Sequence, residues 1–218
     1  MPGPVRCYYR HSMPKLPTNT NQTLSIPRFV TDNQLYRAVR LFESGSFREA
    51  REACAGILRQ APHHPRAVAL FGTILARLGE TEAALPVFDL SVQLDPSRAD
   101  IWLNRGLALV QLRRVEEGVA SYSHAIKLQP NLVEAHAYRA NALTRLGRFR
   151  EALAGYRTAS ALRPNDPSIL GSQARAMQRS GDGVGALATC ERALALMPND
   201  PDNWANKGVL LVQITGDV

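Results

Sequence analysis

The chain has 218 residues, of which 45% are apolar and 6% aromatic, and its formal net charge is +7. This composition, rich in Ala, Leu, Arg and Glu, favours packed helices over sheets and contains no apolar run long enough to span a bilayer. Cys7, Cys54 and Cys190 are too few and too dispersed for a disulfide framework or a zinc site, which is typical of a cytoplasmic protein.

Residues 1–30 form a basic stretch that we predict to be a disordered tail. It contains four basic residues and no acidic one, whereas the other 22 basic and 19 acidic residues are interspersed, which argues against a nucleic-acid-binding stripe. The stretch lacks the apolar core of a secretory signal. Its arginines fit an organelle transit peptide, but four prolines before residue 20 oppose an amphipathic helix. Alternatively, Met13 is the true start.

The strongest pattern in the chain is a 34-residue period marked by prolines. They are Pro62, Pro96, Pro130, Pro164 and Pro198. Each follows an apolar or alanine-rich stretch at helical spacing, so each marks the end of a helix. With the proline at position 32, the units span 31–64, 65–98, 99–132, 133–166 and 167–200, followed by a half unit at 201–214 and a tail at 215–218.

Other residue types recur at fixed positions of this unit. Position 8 is always small, as Ala38, Gly72, Gly106, Ala140, Ala174 and Gly208. Position 15 is glycine in every complete unit except at Arg113, and position 20 is alanine or glycine. These positions predict two helices that cross closely, with a turn between them. Position 24 carries Phe88, Tyr122 and Tyr156 in three units, so Cys54 and Cys190 at the same position are predicted to be buried.

Enzymatic motifs are missing from this pattern. The glycines of residues 181–185 lie between two helical stretches, with no strand before them and no Lys-Ser or Lys-Thr after them, so they do not form a phosphate-binding loop. His63 and His64 lie beside prolines, without an acid or thiol nearby in sequence. We predict a protein that is not an enzyme and has no metal site and no cofactor.

A 34-residue unit with a small residue at position 8, glycine at 15, alanine at 20, an aromatic residue at 24 and proline at 32 resembles the tetratricopeptide repeat. The resemblance covers residues 31–214 and is clearest in IWLNRGLALVQLRRVEEGVASYSHAIKLQP and EAHAYRANALTRLGRFREALAGYRTASALRP. It departs at position 4, where the usual large residue is Trp102 or Trp204 but Gln34 and His136 elsewhere. It implies an all-α, right-handed superhelical solenoid of antiparallel helix pairs.

In this family the first helix of each repeat lines a concave groove that binds a protein or peptide partner. The resemblance implies a non-catalytic scaffold whose groove contacts its partner through Asp100, Leu103, Asn104, Leu107, Glu134, Tyr138, Asn141, Arg145, Arg175, Arg179 and Asn206. Alternatively, the acids at position 2 and the arginines at position 13 only stabilise helix ends. Position 5 lacks the lysines of the family's chaperone-tail clamp.

Asn104 and Asn206 leave a second interpretation open. Asparagines at position 6 line the groove of O-linked N-acetylglucosamine transferases, and the repeats are similar to those of bacterial SPINDLY-type enzymes. The chain would then be the substrate-recognition arm of a larger glycosyltransferase. The half unit at 201–214 lacks a second helix, so we also expect either a longer natural chain, self-association or partner docking through this uncapped helix.

Overall fold

The computed structural model describes residues 26–216 of the protein, with the side chains of residues 32–216. Eleven α-helices and no strand are found in that range, which confirms the predicted all-α fold class. The helices are α1 (Ile26–Glu43), α2 (Phe47–Gln60), α3 (Pro65–Arg77), α4 (Thr81–Leu94), α5 (Ala99–Gln111), α6 (Val115–Leu128), α7 (Val133–Arg145), α8 (Phe149–Leu162), α9 (Pro167–Arg179), α10 (Gly183–Leu196) and α11 (Pro201–Thr215).

Both ends of the helical array differ from the predicted boundaries. The first helix begins at Ile26, so residues 26–30 are helical and are not part of a tail. Pro27 is compatible with this because the first turn of a helix does not need its N–H. The last helix ends at Thr215, one residue beyond the predicted half unit. Cys7 and the alternative start at Met13 lie outside the described residues.

The helices follow the 34-residue period. Three residues join the first helix of a pair to the second, as between Arg77 and Thr81, and four residues join one pair to the next, as between Leu94 and Ala99. Connections this short place consecutive helices side by side in opposite directions. The proline at position 32 follows the second helix of each pair, as predicted from its lack of a helical N–H.

The chain divides into two compact units, with the boundary between Arg113 and Arg114. In the first unit α1 packs on α2, α3 packs on α4, and α5 packs on α4. In the second unit α7 packs on α8, α9 packs on α10, α6 packs on α7, and α11 packs on α10. The fully buried large side chains include Phe88, Tyr122 and Tyr156 at position 24, together with Leu70, Leu143 and Leu210.

The first helices of successive pairs form the inner layer of each unit. In the first unit α1 contacts α3 and α3 contacts α5, and in the second unit α7 contacts α9 and α9 contacts α11. Among the described residues, α2 makes no comparable contact with α4, nor does α8 with α10. A curved row of helix pairs brings together the helices on the inside of the curve. The first helices therefore line the concave side within each unit.

The small residues at position 8 lie where paired helices cross. A Cβ atom added to Gly72 would lie 2.9 Å from the ring of Phe88, which is fully buried. In the second unit, a Cβ atom added to Gly155 would lie 3.2 Å from the Cβ of Ala140. A larger side chain at these points would separate the helices, so the repeated small residues have the predicted packing role.

Both cysteines at position 24 are buried, as predicted. Cys54 and Cys190 are excluded from solvent and are free thiols. Burial raises the pKa of Cys54 to about 12, so the residue remains a neutral thiol at physiological pH. Each cysteine therefore serves as a small apolar residue in the position that Phe88, Tyr122 and Tyr156 occupy in the other repeats.

In three repeats, the residue at position 4 anchors the loop that precedes the repeat. The indole N–H of Trp102 donates to the carbonyl oxygen of Pro96 at 3.0 Å, and that of Trp204 donates to Pro198 at 2.7 Å. In the fourth repeat, Nε2 of His136 takes the same place, 2.8 Å from the carbonyl oxygen of Pro130. Because a carbonyl can only accept, this ring nitrogen carries the proton. His136 is therefore a functional equivalent of tryptophan, which its identity alone did not indicate.

We expect the His136→Leu substitution to lower the free energy of unfolding by roughly 0.5–1.5 kcal/mol, the usual contribution of one hydrogen bond. His136→Trp should retain the donor and preserve stability, as Trp102 and Trp204 do in their repeats. Urea unfolding followed by circular dichroism measures both variants. Equal stability of the leucine and tryptophan variants would contradict the anchoring role.

Arg113 replaces the turn glycine of the other repeats. Its φ is 64°, and it is the one non-glycine residue with a positive φ in the described part of the chain. Gly147, at the same position of the next repeat, has a φ of 75°. The left-handed conformation brings the Cβ of an ordinary residue too close to its carbonyl oxygen, so Arg113 holds a strained turn that glycine would form freely.

Arg113→Gly is expected to raise the free energy of unfolding by about 0.5–1 kcal/mol, because relief of roughly 1–2 kcal/mol of strain exceeds the entropy that glycine adds to the unfolded chain. The reverse exchange in the next turn, Gly147→Ala, should lower it, because its φ of 75° is unfavourable for alanine. Thermal and urea unfolding of the two variants provide the measurement. A loss of stability in Arg113→Gly would show that the turn is unstrained.

Candidate functional site

The candidate site lies on the first helices of the second unit. We use the term inner face for the side chains at positions 6, 9, 12 and 13 of α7 and α9 that reach solvent. They are Tyr138, Asn141, Arg145, Ser172, Arg175, Gln178 and Arg179. This set contains three cations and no carboxylate. The surface is therefore basic, although the whole chain mixes charges of both signs.

Two buried tyrosines support the inner face from below. The ring of Tyr138 lies 6.1 Å from that of Tyr122, centroid to centroid. The hydroxyl of Tyr156 donates to Oδ1 of Asn141 at 2.6 Å. Burial raises the pKa of Tyr156 to about 12, so the hydroxyl keeps its proton at neutral pH and remains a donor. These contacts hold Tyr138 and Asn141 in defined orientations before any ligand binds.

Arg145 and Arg175 place positive charge above these tyrosines. Both arginines are exposed. Burial raises the pKa of Tyr122, and the nearby Arg145 opposes this rise. The charge of Arg175 likewise lowers the pKa of Tyr156 and so partly offsets the effect of burial. Each arginine is thus close to the tyrosine at position 24 of the preceding repeat.

Two of the arginines at position 13 have a structural contact that the sequence did not indicate. The guanidinium of Arg179 lies 5.5 Å from the ring centroid of Phe149, and that of Arg77 in the first unit lies 4.6 Å from that of Phe47. In each case the ring is at position 17 of the preceding repeat. A cation over an aromatic face is attracted by the ring quadrupole. This contact links consecutive repeats and orients the guanidinium.

The predicted acidic positions are paired with arginines. Asp100 binds Arg98 at 2.5 Å, and Glu134 binds Arg163 at 2.7 Å. The hydrogen bond with Glu134 raises the pKa of Arg163, so the guanidinium of this residue keeps its positive charge. Because their charges are compensated locally, Asp100 and Glu134 do not form a continuous acidic stripe. This supports the alternative interpretation that the acids at position 2 serve the helices that carry them.

In the first unit, the structure corrects two of the predicted ligand contacts. Leu103 is completely buried and Asn104 is only 4% exposed, so both belong to the packed interior of α5 and cannot contact a ligand from the surface. Leu107 is half-buried. The amide oxygen of Asn104 is buried without a hydrogen-bond partner. Asn206 in the second unit is half-buried, and its amide nitrogen also lacks a partner.

The described part of the chain contains neither a metal-binding cluster nor a membrane-spanning helix. Across residues 26–216, His, Cys, Asp and Glu side chains do not gather in groups of three or more that could hold a metal ion. In the same range, none of the helices combines the length and apolar character needed to cross a bilayer.

The repeat pattern matches a known family. One sequence model of the tetratricopeptide repeat matches residues 36–99 and 138–203, and a second matches residues 99–132. The chain belongs to the tetratricopeptide repeat family. The matches fall in all five complete repeats predicted from the proline spacing, without residues 31–35 and 133–137, and extend to residue 203 in the half repeat. A search of curated protein sequences gave no significant match.

Solved structures of other tetratricopeptide repeat proteins have the same fold. YrrB, described as having an unusual peptide-binding site, superposes with a TM-score of 0.73 at 15% identity, covering 84% of this chain and 98% of YrrB. MamA (41-end) from Desulfovibrio magneticus RS-1 superposes with a TM-score of 0.73 at 18% identity, covering 78% of this chain and 97% of MamA. TTC0263 from Thermus thermophilus superposes with a TM-score of 0.63 at 23% identity, covering 84% of this chain and 99% of TTC0263. At these identities the likeness concerns the fold alone.

Proposed function

We propose that this protein is a non-catalytic tetratricopeptide repeat scaffold that binds an extended acidic peptide of a partner protein on the inner face of the second unit. The observation that carries the proposal is the charge of that surface. Arg145, Arg175 and Arg179 are exposed there on neighbouring helices. An arginine presents a planar set of donors that fits a carboxylate in a bidentate manner.

The neutral residues of the inner face suit the remaining parts of a peptide. Asn141 and Ser172 carry both donors and acceptors, which can bind the N–H and C=O groups of an extended main chain. Tyr138 offers an aromatic ring, already packed against Tyr122, for an apolar side chain of the ligand. Tyr138 and Asn141 are held in place before binding by their contacts with Tyr122 and Tyr156. Less conformational entropy is therefore lost when the peptide binds.

The fold gives this proposal independent support. YrrB shares the arrangement of helices and is described as a protein with a peptide-binding site. Because the two chains are only 15% identical, this likeness supports binding of a protein segment in general and does not indicate which segment. The preference for acidic peptides rests on the arginines of this chain.

Binding can be tested by fluorescence anisotropy with the full chain and two labelled peptides. The first is a flexible peptide of alternating Glu and Gly residues, and the second has Lys in place of every Glu. We expect the acidic peptide to bind and the basic one not to bind. Affinity for the acidic peptide should fall with rising salt, because exposed charges are screened. Equal affinity for both peptides, or no binding of either, would refute the proposal.

The second candidate function is the substrate-recognition arm of a SPINDLY-type O-linked N-acetylglucosamine transferase. It is favoured by one observation: Asn206 has an amide nitrogen without a partner, which a peptide carbonyl could satisfy. The burial of Asn104 weakens it. A reading frame that continues past Val218 into a sugar-nucleotide-binding domain would establish this function, and a stop codon directly after Val218 would exclude it.

A further inference from the structure

The side-chain amide of Asn141 is held in one orientation on the inner face. Its Oδ1 accepts the hydrogen bond from the hydroxyl of Tyr156, which is only 1% exposed. Rotation of the amide by half a turn would leave the buried hydroxyl proton without this acceptor. The amide nitrogen, Nδ2, makes no hydrogen bond to residues 32–216 and is not one of their buried unpartnered atoms. Asn141 therefore presents its N–H groups to solvent and directs its oxygen towards the core.

Arg175 provides a second donor near the same tyrosine. It occupies position 9 of the fifth repeat, and Asn141 occupies position 9 of the fourth. Their helices, α9 and α7, contact each other. The guanidinium is exposed, and its charge acts on the buried hydroxyl of Tyr156. An amide nitrogen and a guanidinium thus flank Tyr156 from two consecutive repeats.

Two donors of this kind favour a ligand group that only accepts hydrogen bonds. The amide nitrogen and the guanidinium carry hydrogens and have no acceptor. A carboxylate has acceptor oxygens alone, and its charge makes a hydrogen bond with arginine shorter and stronger than a bond between neutral groups. The amide of a glutamine side chain has the same shape, but one of its two ends is itself a donor. The pair therefore distinguishes a carboxylate from its neutral amide.

We propose that Asn141 and Arg175 together bind one carboxylate of the acidic peptide, and that Tyr156 is the positioning residue that keeps Asn141 a donor towards it. This inference rests on the proposed function and identifies the part of the inner face that recognises an acidic side chain. Tyr156 acts through Asn141 and does not itself contact the ligand. Without its hydroxyl the amide can rotate, and its oxygen would then face the carboxylate and repel it.

A double-mutant cycle with the acidic peptide and the full chain separates positioning from structural support. Phe88 occupies position 24 of the second repeat, so Tyr156→Phe should retain the core packing, which circular dichroism verifies. We expect Tyr156→Phe to weaken binding about threefold or more, and to have no further effect in an Asn141→Ala background. A general loss of packing would weaken binding in both backgrounds. The control, Tyr36→Phe, removes an exposed tyrosine hydroxyl of the first unit and should leave the affinity unchanged.

Nuclear magnetic resonance of the ¹⁵N-labelled chain observes the amide directly. The side-chain signal of Asn141 is assigned by its absence from the spectrum of Asn141→Ala. The heteronuclear NOE of this signal should fall in Tyr156→Phe, because the amide is then free to rotate. Its chemical shift should change when the peptide of Glu and Gly is added, and should change little with a peptide that has Gln in place of every Glu.

Three results would overturn the inference. They are an Asn141 amide that is equally rigid in the parent and in Tyr156→Phe, an equal shift of its signal with both peptides, and an equal loss of affinity from Tyr156→Phe in both backgrounds. The second result would show that Asn141 binds the main chain of the peptide. All three are compatible with binding of the acidic peptide by the parent, whereas the absence of that binding would refute the proposed function itself.

Discussion

Gly72→Ala is expected to lower the free energy of unfolding by about 1–2 kcal/mol through overpacking of the core. The new Cβ would lie 2.9 Å from one ring carbon of Phe88 and 3.3 Å from Cγ1 of Val87. Phe88 is fully buried, so its ring has no free space into which to move. Overpacking of this kind costs roughly 1–3 kcal/mol, and the better helix propensity of alanine returns at most about 1 kcal/mol.

The matched control is the same substitution at the same repeat position in α11. No atom lies within 4 Å of the Cβ that Gly208→Ala would add. The free energy of unfolding of this variant should rise by roughly 0.5–1 kcal/mol, because alanine restricts the unfolded chain and favours helix. Urea unfolding at a protein concentration where the chain is monomeric compares the two. If the free energy of unfolding changed in the same direction in both variants, the packing assigned to position 8 would be contradicted.

A double charge reversal, Arg145→Glu with Arg175→Glu, is expected to weaken binding of the acidic peptide about tenfold or more. Each exposed ion pair contributes roughly 0.2–1 kcal/mol, and reversal replaces attraction by repulsion of similar size. Two reversals together therefore approach or exceed the free energy of about 1.4 kcal/mol that corresponds to a tenfold change in affinity. Fluorescence anisotropy at constant ionic strength gives the dissociation constants.

The control for this experiment reverses two other arginines of the second unit. Arg150 and Arg157 are exposed on α8, which belongs to the outer layer of helices. Arg150→Glu with Arg157→Glu changes the net charge by the same amount and should change peptide affinity by less than a factor of two or three. If the two double variants lose affinity equally, the peptide responds to net charge and the inner face is not its site.

The repeat period was sufficient to predict the helix pairs because their contacts are local in sequence. Gly72 and Phe88 lie in the same repeat, as do Asn141 and Tyr156, so one unit contains both partners of each contact. The turn and the helix end are determined by single residues whose backbone preferences are known, glycine and proline. The buried state of Cys54 could be predicted for the same reason, from the aromatic residues at its position in other units.

The properties of the inner face could not be obtained in this way, because exposure depends on how successive helix pairs pack. Asn104 and Tyr138 occupy the same repeat position, yet one is buried and the other is half-exposed. The contact of Arg179 with Phe149 joins two consecutive repeats, and the ion pair of Arg163 with Glu134 joins the two ends of one repeat. Residue type did not reveal these contacts, since an arginine at a helix end is compatible with solvent, a ligand or an aromatic ring.

The amino-acid sequence by itself determined the all-α fold class, the helix pairs and the buried residues of position 24, since each follows from periodic apolar residues and from local backbone preferences. Only the tertiary structure decided which predicted groove residues reach solvent, which charges are already paired, and that His136 anchors a loop as tryptophan does elsewhere. Burial arises from the packing of several helices on one another, and pairing depends on the side-chain distances that this packing produces. A single amino-acid sequence lists the residues that take part in such contacts, but it does not give the distances between their side chains.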